Sequence, residues 1–317
     1  MSRRQLTIIF AVLAVLLGAF AGIRLLDRAG NGPGRGGEAI VSAVAEGFSL
    51  VRVLGAQGKD TVRLELSGDS WTVNGYPADT ALVRQLAEGL DTALVGRLVA
   101  RSAANHGRLG ITADSARQVE IGPAGEPDLV FHLGRGGTDG RFIRFPPSDE
   151  VYTIPALSMR LFNRSEAEWR NRIVAVVDTA TVGRIAVRRN DQPGPVLLSR
   201  APGDTLAAWS LDGSAVDTAA VGDLLREAVT ITATGFPTDS VAFAVDFTSP
   251  VAALEMFDSD EPGAAPSLSL LFLTAPDARD FLVRRADDPL SYRISAAQAE
   301  RLLPTRARLL GSDSVRP

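Results

Sequence analysis

Apolar and polar positions change period several times along the chain, and each change predicts a different kind of element. Residues Leu6 to Ile23 form a run without a charge, preceded by Arg3 and Arg4 and followed by Arg24, Asp27 and Arg28. Its eighteen residues stand at the lower edge of bilayer-spanning length. Phe48 to Leu54, Thr61 to Leu66 and Ser70 to Val73 then alternate or cluster β-forming side chains between Gly-containing turns, which predicts an antiparallel meander. Leu82, Leu86 and Leu90 recur every four residues, with Val83 beside them and Arg84, Gln85 and Glu88 on the other face, so a helix follows and Asp79 caps it. Further strands are predicted at Val95 to Arg101, Gln118 to Ile121, Leu129 to Leu133, Arg141 to Phe145 and Val151 to Ile154, with a short helix near Pro155. Ser165 and Glu168 have capping-box spacing and start a turn that carries Trp169, Arg170 and Arg172.

The same pattern returns. Trp71-Thr72-Val73-Asn74-Gly75 aligns with Trp209-Ser210-Leu211-Asp212-Gly213, 138 residues later, and Asp79-Thr80-Ala81 aligns with Asp217-Thr218-Ala219. Phe142-Ile143-Arg144 aligns with Leu282-Val283-Arg284, and Val151 to Ile154 with Ser291 to Ile294, at a shift of 140. A period this long marks a duplicated domain rather than a solenoid array. The second copy is expected to hold a helix on Val221, Leu224, Leu225 and Ala228, then strands at Val229 to Thr234, Val241 to Phe247, Val251 to Phe257 and Leu268 to Thr274. The expected class is α+β: an N-terminal transmembrane helix, then two tandem, internally duplicated α/β units with mostly antiparallel sheets. The expected divisions are a cytoplasmic tip at 1–4, an anchor at 5–26, a Gly-rich linker at 27–45, units at 46–175 and 176–311, and a tail at 312–317.

The basic residues before the apolar run favour an amino terminus left inside and a bulk placed outside the cytoplasmic (inner) membrane, as a single-pass periplasmic protein. Ala19-Phe20-Ala21 also fits a signal-peptide cleavage pattern, whereas the apolar continuation through Ile23 and Leu25-Leu26 favours an anchor that stays. Gly32, Gly34 and Gly37 formally make G-x-G-x-x-G, but a linker composition surrounds them and no βαβ pattern follows.

Charge and composition narrow the chemistry further. The chain carries −4, and because residues 1–28 hold four Arg and one Asp, residues 29–317 carry −7. No net attraction for nucleic-acid phosphates results, and no dense Arg/Lys stripe offers one. The absence of cysteine removes disulfides, thiol catalysis and thiolate metal sites. Of 33 basic residues only Lys59 is lysine, which leaves Schiff-base chemistry little to work with. His106 and His132 show no metal-ligand spacing and read as incidental polar residues, and no G-x-S-x-G elbow is present. Asp79 and Asp217 read as caps, Asp258 to Glu261 as a solvated loop, and Trp71 and Trp209 as core aromatics. No cofactor or enzymatic activity is expected.

The order of motifs carries a resemblance: an apolar anchor; Trp71 to Gly75; the Leu82, Leu86, Leu90 helix; Arg108-Leu109-Gly110-Ile111; Val119 to Ile121; Leu133-Gly134; Arg141 to Arg144; Val151 to Ile154; and Trp169-Arg170-Asn171-Arg172. Together they resemble the DUF4340 family, of unknown function, over about residues 45–175 and through the duplication beyond. Family members are often encoded beside permease and auxiliary subunits of gliding-motility-like ABC transport systems. The resemblance therefore implies a membrane-anchored, non-enzymatic accessory or scaffold subunit of an ABC-type complex, and brings no catalytic residues. Arg144, Trp169, Arg170 and Arg172 are the candidate partner contacts. The alternative is an extracytoplasmic protein that binds or hydrolyses envelope peptide or glycan.

Overall fold

The computed structural model describes residues 47–55, 61–91, 95–123, 125, 127–137, 140–155, 159–200, 209–259, 261, 263–277 and 279–311. The expected tip, anchor, linker and tail lie outside these residues. No helix among the described residues is long and apolar enough to cross a membrane. The chain divides into two compact units between Asn171 and Arg172. Residues 172–175 thus fall in the second unit, because the strand they begin pairs there.

The first unit is one nine-stranded sheet in the order β4-β3-β2-β1-β6-β7-β8-β9-β5. Its strands are β1 (Leu50–Leu54), β2 (Val62–Ser67), β3 (Ser70–Val73), β4 (Tyr76–Pro77), β5 (Leu98–Ala100), β6 (Arg117–Gly122), β7 (Leu129–Gly137), β8 (Gly140–Arg144) and β9 (Val151–Ile154). Helix α1 (Thr80–Asp91) turns Val83, Leu86 and Leu90 inward. There they join Val51, Leu64, Val119, Phe131 and Ile143 from one face of the sheet. The α2 turn (His106–Leu109) and α3 (Glu166–Trp169) complete the unit.

The second unit repeats this plan. Its eight-stranded sheet runs β14-β13-β12-β11-β16-β17-β18-β19, the order of the first sheet without its β5 edge. The strands are β11 (Arg184–Arg189), β12 (Val196–Ser199), β13 (Ser210–Leu211), β14 (Ser214–Ala215), β16 (Ala252–Phe257), β17 (Leu268–Thr274), β18 (Asp280–Arg285) and β19 (Ser291–Ser295). A separate ribbon pairs β10 (Ile173–Val176) with β15 (Thr230–Thr232). Helices α4 (Thr218–Ala228), α5 (Asp239–Ala244), α6 (Ala296–Leu302) and α7 (Arg306–Leu309) accompany them. Every strand pairing described is antiparallel, so the mixed, mostly antiparallel α+β class holds.

The duplication reaches individual bonds. Asn74-Gly75 and Asp212-Gly213 take φ of 48° and 87°, and of 51° and 80°, in equivalent two-residue hairpin turns. Both central residues of a type I′ turn need positive φ, which Asn-Gly and Asp-Gly tolerate best. The Asp79 amide donates to the Trp169 carbonyl at 2.8 Å, as the Asp217 amide does to Leu309 at 2.8 Å. Thr153 and Arg293 each bridge to the segment that follows the long helix, through Gly96 and Arg97 in one unit and Thr234 and Gly235 in the other. Even a displaced arginine finds the same target: Arg117 on β6 donates to the Phe162 carbonyl at 2.6 Å, and Arg189 on β11 to that of Leu303 at 2.8 Å.

Asp79 accepts from the Ala81 amide at 2.9 Å and Asp217 from Ala219 at 2.8 Å, as N-caps do. Asp79→Ala and Asp217→Ala are each expected to lower stability by about 1 kcal/mol, with asparagine nearly neutral, in urea unfolding followed by circular dichroism.

One predicted strand is a helix. Val241 to Phe247 alternates large and small side chains, yet Asp239–Ala244 winds as α5, with Thr238 at its N-cap position. Winding sets Val241 and Val245 one turn apart, and both pack with Phe247 in a small cluster on the sheet's second face.

Candidate functional site

The face of the first sheet turned away from its main core carries a polar row. Alternation along β7 sends Phe131 and Leu133 into the core, so His132 and Gly134 point the other way. Register places Gln118 and Arg144 on either side of His132. Arg144 donates from Nη2 to His132 Nδ1 at 2.8 Å and from Nη1 to the Ser148 carbonyl at 3.2 Å. A guanidinium only donates, so Nδ1 is the acceptor and the ring is neutral. Burial, most of all, and the charges of Arg144 and His106 push His132 below the usual imidazole value, while the bond to Ile111 opposes them. His106 donates from Nε2 to the Asp149 carbonyl at 2.9 Å. The histidines are 7% and 8% exposed. Gln118 continues the row by donating to Glu120 at 2.7 Å, and Glu120 pairs with Arg52 at 2.8 Å.

Gly134 lets the covering segment approach. A Cβ there would stand 2.7 Å from the Leu109 carbonyl oxygen and 2.9 Å from Ile111 Cδ1. Residues 106–111 consequently lie directly on β7, where Leu109 and Ile111 form a small apolar cluster with Ala100 and Val151.

The second unit fills the same face differently. Leu271 pairs with Arg284 where His132 pairs with Arg144. Leu271 and Leu273 join Phe247 and Leu282 in an apolar cluster, and the Arg284 guanidinium lies 4.4 Å from the Phe247 ring centre. The duplicated sheet therefore stands without a polar cluster at this place.

Burial rearranges the four expected partner contacts. Trp169 is 1% exposed and belongs to the main core of the first unit. Arg170 is 9% exposed, stacks 3.7 Å from the Tyr76 ring centre and pairs with Glu166 at 3.8 Å. Neither presents its side chain to a partner, because the turn that Ser165 begins directs both inward. Arg144 is half-buried against His132, and Arg172 alone of the four is exposed.

Trp71 and Trp209 are partly buried against the cores, Trp71 beside Phe48 at 5.7 Å between ring centres. Asp258 accepts from Ser267 at 2.9 Å, a loop-closing contact. A pocket of about 250 Å³ in the second unit is lined by Arg189, Asn190, Asp191, Phe281, Glu300 and Leu303, among others. Arg189 pairs with Asp191 at 2.6 Å and holds its carboxyl below the usual carboxylate range.

A family model described as a domain of unknown function, DUF4340, matches residues 70–250, more than half of the chain. The chain belongs to the DUF4340 family. No curated protein and no solved structure matches it. The DUF4340 match opens at β3, crosses the boundary between the units and ends just before β16. It takes in His106, His132 and Arg144, as well as Trp169 and Arg170. Linear reading of this DUF4340 chain separates the two histidines by 26 residues, and the cross-strand placement of His132 opposite Arg144 was the available signal.

Proposed function

We propose that this DUF4340 chain is a non-enzymatic, membrane-anchored extracytoplasmic accessory or scaffold protein that works beside an ABC-type transport complex. The observation that carries the reading is where the duplicated polar groups are engaged. Asp79 and Asp217 cap helices, Glu120 and Glu255 form cross-strand ion pairs with Arg52 and Arg188, and Arg117 and Arg189 tie down carbonyls near the C-terminal ends of their units. Contacts that recur in both copies to hold each unit together suit a protein whose work is to present surfaces. The charge-free run from Leu6 to Ile23, with its flanking arginines, supports a membrane tether, which raises the local concentration of whatever it carries.

Crosslinking the tagged full chain in native membranes tests this reading, with a version lacking residues 1–28 as the control. Stoichiometric recovery of permease or auxiliary subunits with the full chain is the expected result. Recovery of the chain alone, under conditions where a known membrane complex crosslinks, overturns it.

The second reading, a protein that binds or hydrolyses envelope peptide or glycan, draws on the pocket that sets Asp191 and Glu300 near Phe281. The Arg189–Asp191 ion pair weighs against it as an acid–base pair, since it keeps Asp191 ionised.

A further inference from the structure

We propose that His132, Arg144 and His106 form an acid-released latch, in which protonation of His132 frees Arg144 and lifts residues 106–111 and 146–150 from the outer face of the first sheet. Three observations support it independently of the transport-complex reading. First, the geometry is incompatible with a charged ring. His132 Nδ1 accepts from a guanidinium at 2.8 Å, and a proton on that nitrogen would remove the acceptor and set two cations against each other. Second, the covering segment has a small apolar hold of its own. Its apolar contribution is a cluster of four buried residues, Ala100, Leu109, Ile111 and Val151, separate from the main core, so the segment can open while the sheet stays folded. Third, the fold does not require a histidine here, because the second unit completes the same face with Leu271, Leu273 and Phe247.

Among the described residues, the charged and titratable groups that act on His132 are Arg144 and His106. Arg144 faces it from β8 and His106 from α2, and both oppose a second positive charge. On β6 the neighbour is uncharged Gln118, and the next residue on that face, Glu120, is already paired with Arg52. Asp149 contributes its backbone carbonyl, to His106. None of these groups compensates a proton on His132. Release of Arg144 also frees the Ser148 carbonyl, which lies one residue before the carbonyl that anchors His106. The two segments are thus coupled through one hairpin loop.

The direction with pH follows from the depressed folded-state value. The latch contributes its full stability above the ordinary imidazole pKa of about 6.5, and loses it as pH falls through the lower folded value.

Hydrogen exchange of the full chain between about pH 8 and about pH 5 reads this out, after correction for intrinsic rates. Amides of 106–111 should lose protection by roughly tenfold per pH unit through the lower part of that range. Core amides of β1, β6 and β7 should not change. His132→Gln keeps an acceptor and a donor without a titrating group, and should abolish the response. His106→Gln keeps the donor to the Asp149 carbonyl and should preserve it. A pH-independent segment in the unmodified chain, or an unchanged response in His132→Gln, overturns the proposal. If His132→Gln does not fold, the ring titration of His132 in the unmodified chain by NMR decides. Titration below the ordinary value, with the 106–111 signals moving in step, supports the latch, and titration at or above the ordinary value overturns it.

Discussion

Trp169→Ala is expected to cost about 3–5 kcal/mol, the usual range for removing a large aromatic from a packed core and a large fraction of a domain's total stability. The side chain is 1% exposed and among the largest fully buried in the molecule. It sits one turn past Ser165, whose amide and hydroxyl both donate to Glu168, at 2.8 and 2.9 Å. Its own carbonyl receives the Asp79 amide, so the residue that fills the core also ties the end of the unit to the start of α1. Two further substitutions separate packing from polarity. The indole N–H is buried without an acceptor among the described residues, so Trp169→Phe gives up no hydrogen bond and should cost much less than alanine. Leu309, fully buried, occupies the equivalent place in the second unit, so Trp169→Leu should fall between the two. Urea unfolding followed by circular dichroism orders the three variants. A Trp169→Ala midpoint equal to that of the unmodified chain would remove Trp169 from the core argument.

The internal repeat made much of the fold legible, since each half could be read against the other. Where both copies keep a residue for a local reason, such as Asp before a helix or Asn/Asp-Gly in a two-residue turn, sequence and structure agree. Misreadings arose where tertiary contacts overrode local pattern. Val241 to Phe247 alternates like a strand, but the cluster beneath it accommodates side chains one helical turn apart. Strand β7 runs on to Gly137, beyond the expected end at Leu133: Gly134, Gly136 and Gly137 read as turn residues, yet after an irregularity β8 pairs with Gly136 and Gly137. Two of the partner-contact candidates, Trp169 and Arg170, are buried for a related reason. Trp169 and Arg170 look like surface residues beside Arg172, yet α3 has a single turn, and whether such a turn faces solvent depends on what packs over it. The histidine cluster was hidden because its members come from a strand, a hairpin partner and a short helical turn, which only the register of β7 with β8 brings together.

That register also makes Gly134 the position with the second large expected effect. Gly134→Ala should destabilise the first unit by about 1–3 kcal/mol, the usual cost of overpacking. The added Cβ meets the carbonyl oxygens of Leu109 and Gly110 at 2.7 and 3.1 Å and Ile111 Cδ1 at 2.9 Å. Two of these neighbours are backbone, which cannot swing aside as a long side chain would, so residues 106–111 must lift as a segment. Lifting them draws the Ile111 backbone from His132 and exposes the cluster, so Gly134→Ala should open at high pH the segment that acid opens in the unmodified chain. Gly222→Ala supplies the opposite sign. Gly222 lies inside α4, and a Cβ there meets nothing within 4 Å, so alanine should stabilise by about 0.5–1 kcal/mol through lower chain entropy in the unfolded state. Urea midpoints for both variants, with exchange of the 106–111 amides at about pH 8, test the pair together. If Gly134→Ala kept those amides as protected as in the unmodified chain, the close approach across β7 would not be what seats the segment, and its hold would rest on the Leu109–Ile111 cluster and the His106 bond to the Asp149 carbonyl.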